Sequence, residues 1–141
     1  MTVKLIPYLN MEGNAREAIQ FYQQAIDAEV LSLVTYGEMP EMPNTFTVDR
    51  KNLVAHAMLR VGESDLMFSD VPTGSTIPKG KQVTICLLSN DVEKSKRFFE
   101  ALRQNGQVNM PFGEEPFSPG FGDVTDQFGV TFQIYTESQY K

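Results

Sequence analysis

Residues 14–27 read NAREAIQFYQQAID and residues 91–104 read DVEKSKRFFEALRQ, and the likeness of these two stretches decides the architecture. In the first, Ala15, Ala18, Ile19, Tyr22, Ala25 and Ile26 recur at three- and four-residue spacing, the pattern of a helix with one apolar face. Asn14 is the expected N-cap, and Glu17 is spaced to return a hydrogen bond to it. This helix should end near Asp27. In the second stretch Asp91 is the expected cap, Val92, Phe98, Phe99 and Leu102 share a face, and Asn105-Gly106 supplies a C-terminal stop. The aromatic pair Phe21-Tyr22 finds its counterpart in Phe98-Phe99, about half the chain later.

Each helix pattern is preceded by one strand-like segment and followed by three. VKLIPYLNM (3–11) precedes the first, and Pro7 requires a place where one backbone donor is dispensable, at an edge or a bulge. VLSLVTYG (30–37), LVAHAMLRV (53–61) and DLMFSD (65–70) follow, the last two joined by a turn at Gly62-Glu63. In the second half QVTICLLS (82–89) comes first, then QVNMP (107–111), FGDVTD (121–126) and VTFQIYT (130–136), with a turn at Phe128-Gly129. The plan is βαβββ twice, an α+β chain. Module 1 covers about 1–71, a Pro-, Gly-, Ser- and Thr-rich linker about 72–81, and module 2 about 82–137, within one domain over residues 1–141.

Side chains alternate along a strand, so residues two apart share a face. Val130, Phe132 and Ile134 fall on one side of the last strand, and Thr131, Gln133 and Tyr135 on the other. In LVAHAMLRV the set Leu53, Ala55, Ala57, Leu59 and Val61 is apolar, whereas Val54, His56, Met58 and Arg60 are mixed. The apolar sets are expected to pack on the helices. The mixed sets then form an opposite face, which a curved sheet of eight strands would shape into a cup.

Composition excludes several function classes. The 141 residues, 41% of them hydrophobic, suit a single domain with a sizeable core. Twelve basic against eighteen acidic residues give a net charge of -6, which argues against nucleic acid or an anionic membrane as partner. A single Cys, Cys86, rules out an intramolecular disulfide and suits a reducing compartment. The stretch MTVKLIPYLN lacks the long apolar run of a signal peptide or membrane span, so a cytoplasmic location is expected.

The chain resembles the vicinal oxygen chelate superfamily, the glyoxalase and bleomycin-resistance fold, and within it the PhnB-like branch. The resemblance is carried in order by PYLNMEGNAREAIQFY (7–22), HAMLRVGESDLMFSD (56–70), the DVEKSKRFFEAL helix, VNMPFGEEPFSPGFG (108–122) and DVTDQFGVTFQI (123–134). It implies paired βαβββ modules, each a half-open barrel, assembled as a homodimer with a small-molecule cavity inside the cup. Metal-dependent members are similar to one another in four ligands, a His or Gln on each module's first strand and a Glu on each last strand. Carried onto this chain, those positions fall at about Pro7 and Thr84 and near Met67 and Gln133; a shift of a residue or two brings in Tyr8, Asn10 or Phe68. Zinc takes His, thiolate or carboxylate, so neither a metal site nor a cofactor is expected. Some PhnB-like sequences carry a methyltransferase label, but Gly120 and Gly122 form only GxG, without the strand-turn-helix unit that a nucleotide-like cofactor uses.

Two candidates lie on the mixed face of module 1. His56 is either a general acid, base or hydrogen-bond partner, or a histidine satisfied by its neighbours. Arg60 either holds a substrate carboxylate or ends its strand in solvent. Gln133 and Tyr135, with Thr84 across the cup, offer neutral donors and acceptors to a polar ligand.

Further candidates lie in longer connections. Glu114 and Glu115 fall in MPFGEEPFSPGFG, read as a loop folding over the cup, where a carboxylate in apolar surroundings acts as a base or is simply solvated. Phe112, Phe117 and Phe121 in that loop line a pocket or a subunit interface. Met39, Met42 and Phe46, in the long stretch YGEMPEMPNTFTVDR, close over a ligand or a partner subunit. Cys86 is read as an inert buried thiol.

The leading expectation is a protein that binds a small organic ligand without a full set of metal ligands. One alternative is a metal-dependent lyase, isomerase or dioxygenase, its divalent metal held by His56 with Glu114 or Glu115. A second is a structural or regulatory dimer.

Overall fold

The computed structural model describes residues 4–38, 51–71, 80 and 83–138. The chain divides into two compact units, Met1–Pro78 and Lys79–Lys141. In unit 1, β1 (Tyr8–Met11), α1 (Ala15–Ala25), β2 (Glu29–Thr35), a short 3-10 turn (Tyr36–Glu38), β3 (Val54–Val61) and β4 (Ser64–Asp70) follow one another. The sheet order is β1-β4-β3-β2, with β1 parallel to β4 and the other pairs antiparallel. Unit 2 repeats the plan with β5 (Ile85–Ser89), α2 (Val92–Leu102), β6 (Gln107–Glu115), β7 (Ser118–Thr125) and β8 (Thr131–Thr136), in the order β5-β8-β7-β6.

The two helices bury the faces that their spacing marked. On α1, Ala15, Ala18, Ile19, Tyr22 and Ala25 are buried, as are Ala57, Leu59, Leu66 and Phe68 of the sheet; the Tyr22 and Phe68 rings lie 5.7 Å apart. On α2, Ser95, Phe98, Phe99 and Leu102 are buried, as are Val124, Phe132 and Ile134. Gly120 and Gly122 have a packing role: a Cβ on Gly122 would stand 2.8 Å from Phe99 Cδ2, and one on Gly120 would stand 2.7 Å from Phe112 Cζ. Only hydrogen fits there. Pro7 lies just before the edge strand β1 and contributes only its carbonyl, which accepts from Met67 N–H at 3.0 Å. Val54, expected on the mixed face, is fully buried where the register of β2 on β3 slips.

The stretch MPFGEEPFSPGFG is not a loop. Its residues extend β6 to Glu115 and start β7 at Ser118, leaving only Pro116 and Phe117 as the turn. An edge strand tolerates the missing donor of Pro111, and register shifts on either side of Gly113 absorb the irregularity. Met42 and Phe46, with Met39, lie outside the described residues, as does most of the 72–81 linker.

Helix capping departs from expectation at one end. Asp91 caps α2 as its spacing implied, accepting from Glu93 N–H at 3.0 Å and Lys94 N–H at 3.4 Å. Asn14 stands at the N-cap of α1 but makes no side-chain capping bond. The acceptor is Asp70, 1% exposed, whose Oδ1 takes Ala15 N–H and whose Oδ2 takes Val54 N–H, each at 2.9 Å. One buried carboxylate thus satisfies the start of a helix and the start of a strand. Among the described residues, no helix is long and apolar enough to cross a membrane.

Asp70→Ala leaves both donors buried without partners, at about 1 to 3 kcal/mol each. We expect a loss of about 2 to 5 kcal/mol, read as a lower urea midpoint at unchanged slope. Asp70→Asn, with one acceptor oxygen, should lose less.

Candidate functional site

The helix-free face of the unit 2 sheet is built by the alternation along β8. Phe132 and Ile134 are buried on the helix side, so Thr131, Gln133 and Tyr135 point the other way and are half-buried. The register sets their neighbours: Gln133 lies between Cys86 of β5 and Asp123 of β7, Tyr135 between Leu88 and Phe121, and Thr131 beside Thr125. A polar row and an aromatic row therefore run side by side across the strands.

The polar row is tied together from β6. Asn109 Nδ2 donates to Asp123 Oδ1 at 2.9 Å and to Thr125 Oγ1 at 3.0 Å, and the Thr125 and Thr131 hydroxyls are 2.8 Å apart. Among the described residues, neither the Gln133 amide nor Asp123 Oδ2 has a hydrogen-bond partner. In the aromatic row Phe117 packs edge-on against Phe121 at 5.1 Å and stacks on Tyr135 at 5.9 Å, while Tyr135 O–H donates to Phe117 O at 3.2 Å. Phe117 remains 49% exposed. Phe112 does not join it; its ring packs 5.6 Å from that of the buried Phe99.

The other sequence candidates are spread out. Glu114 and Glu115 end β6, the first exposed and the second half-buried opposite Ser118. Thr84 sits just ahead of β5, two residues before Cys86, so the residue level with Gln133 is Cys86. Unit 1 holds His56 and Arg60. Arg60 Nε reaches Asp65 Oδ1 at 3.3 Å with half its side chain in solvent, and the half-buried His56 ring lies 6.2 Å from that of Tyr8. Tyr36 O–H donates to the Asp70 carbonyl at 2.8 Å, and burial, with the charge of Asp70 and the nearby Tyr8, pushes its phenol up. The sequence reading missed Asp70, Asn109 and Asp123 as acting residues. Alternation in FGDVTD was the available signal for Asp123, since it groups that residue with Phe121 and Thr125.

The first- and last-strand positions to which the resemblance points are occupied by Tyr8 level with Met67 and Cys86 level with Gln133. Phenol, thioether, thiol and carboxamide do not fit a divalent ion that takes imidazole and carboxylate. Partial desolvation by its neighbours pushes the Cys86 thiol up. Among the described residues, no three His, Cys, Asp or Glu side chains cluster as a metal site.

The profile of the Glyoxalase/Bleomycin resistance protein/Dioxygenase superfamily matches residues 8–134. The chain belongs to this superfamily. Over 143 aligned residues it is 37% identical to Protein YjdN of Escherichia coli K12, covering 96% of each. The crystal structure of PA1353 from Pseudomonas aeruginosa is similar at a TM-score of 0.84 and 32% identity, over 96% of this chain and 98% of that one. The PhnB protein of Bacillus cereus is similar at a TM-score of 0.73 and 27% identity, over 95% and 99% of the two chains. The α+β reading and the PhnB-like resemblance both hold for this superfamily member.

Cys86, expected from the sequence to be buried, is instead exposed on this face where β5 forms the edge of the sheet, and as the chain's one thiol it tests the face directly. Its alkylation rate should rise with pH through a midpoint above that of free cysteine. A midpoint at or below that of free cysteine would contradict the description of its surroundings.

Proposed function

We propose that this protein binds a small organic molecule on the helix-free face of unit 2, without a full set of metal ligands. The half-buried Gln133 amide carries the reading, because it has no hydrogen-bond partner among the described residues while its row neighbours Asn109, Thr125 and Thr131 are bonded to one another. A carboxamide offers two donors and two acceptor lone pairs, and an unused one beside an aromatic surface is suited to orienting a small ligand. Tyr135 and Phe117 supply that surface. Superfamily membership supports a small-molecule ligand, and the net charge of -6 favours one over a polyanion. The resemblance supports a homodimer, and the single thiol a reducing, cytoplasmic setting.

Two measurements test this. Metabolite mixtures should contain compounds that raise the unfolding temperature, and Gln133→Leu should weaken their binding about tenfold, or 1.4 kcal/mol; unchanged affinity removes Gln133 from the site. Elemental analysis of protein purified without chelator, with the subunit count from light scattering, should find far less than one metal per chain. About one zinc, nickel, manganese or iron per chain would overturn the reading in favour of metal-dependent chemistry.

A further inference from the structure

We infer that the molecule bound on this face is an organic amine, cationic at neutral pH, with an apolar body. The inference rests on the proposed binding site and names its ligand class. Asp123 projects its carboxylate into the polar row beside Gln133, and Asn109 fixes it through Oδ1 at 2.9 Å, so that Oδ2 remains free to accept. A carboxylate held this way favours a charged N–H donor, because charge-assisted hydrogen bonds are the stronger ones. The Gln133 carbonyl oxygen is a second acceptor one strand away.

Opposite charge is segregated to the other side of the sheet. Every basic residue described in unit 2, Lys94, Lys96, Arg97 and Arg103, lies on α2 or at its C-cap. Lys94 and Arg97 stand over the Phe98 ring at 5.8 and 5.1 Å, and Arg103 reaches Glu100 at 3.5 Å. Among the described residues of the unit, the helix-free face therefore holds a carboxylate without a cation. A carboxylate or phosphonate ligand would meet Asp123 uncompensated. Beside Asp123 run the rings of Tyr135 and Phe117, backed by the buried Phe121; their electron-rich faces attract cations and their area accepts an apolar body.

The test compares three compounds of one shape, 2-phenylethylamine, 2-phenylethanol and 3-phenylpropionate, by ligand-observed NMR titration of the whole chain at low salt. The amine should bind at least tenfold more tightly than the alcohol, and the carboxylate more weakly than either. Salt should erode the amine's advantage. Asp123→Asn, which keeps an acceptor for Asn109, should bring the amine to the level of the alcohol. Glu100→Gln, on the helix side, should leave the preference in place. Carboxylate binding as tight as that of the amine, or a preference that survives Asp123→Asn, overturns the inference. The comparison on the unaltered chain stands even if a variant fails to fold. Alcohol binding that is weakened by Gln133→Leu but shows no amine preference sinks the inference and leaves the binding site standing. No binding of any of the three sinks both.

Discussion

Asp70 brings a carboxylate into the interior of unit 1, and two elements far apart in the chain start where they do because of it. Its two oxygens take the first N–H of α1 and the first N–H of β3, so the last residue of β4 fixes where the helix begins and where the neighbouring strand begins. A buried backbone donor must be paired, and Asn14, next to the helix, leaves the pairing of Ala15 N–H to a residue 55 positions beyond Ala15. The carbonyl of Asp70 is used as well, by Tyr36 O–H at the end of β2. Helix, sheet and connection are tied at one point, which settles the packing face of α1 and leaves the reverse face of the sheet uncovered by it.

In unit 2 Asp91 caps the helix, and hydroxyls tie the helix to the sheet. Thr136, again the last residue of the last strand, is within 2.8 Å of Ser95 Oγ on α2 and 2.6 Å of the Gly120 carbonyl, and its own carbonyl accepts from Ser118 Oγ at 2.6 Å. Ser95 is fully buried inside a helix, a position that suits Ser only where its hydroxyl has a partner. In both units the last residue of the last strand thus ties the helix to the sheet, by a carboxylate to the first N–H of α1 in one and by a hydroxyl to Ser95 within α2 in the other. Close approach does the rest, with Phe99 lying over Gly122 and Phe112 over Gly120.

With the interior satisfied on the helix side, the opposite face of unit 2 is free to carry side chains that the fold does not use. Gln133, Asp123 and Tyr135 stand there because β8 and β7 alternate, and the Phe117 ring of the preceding turn packs with Tyr135 over the buried Phe121. The sheet also separates charge, with the basic side chains of α2 on one side and the Asp123 carboxylate on the other. Superfamily membership supplies the scaffold, and the first- and last-strand positions carry Tyr8 level with Met67 and Cys86 level with Gln133, side chains other than the imidazole and carboxylate that a divalent ion takes.

Much of this was legible in the order of residues alone. Helical spacing in 14–27 and 91–104 and alternation in the strands are local properties, and they settled the two βαβββ modules, the buried helix faces, and the opposite orientation of Gln133 and Tyr135 relative to Phe132 and Ile134. Partners across the chain were not legible. Asp70 read as the last letter of a strand, Asn14 as a cap, Thr84 as a first-strand residue across the cup from Gln133, and MPFGEEPFSPGFG as a loop. Strand register, the pairing of a buried carboxylate, and the neighbours of Asp123 arise only when distant segments close on one another. Each is decided by which donors would otherwise be buried unpaired and which side chains fit, quantities that exist only in the folded chain.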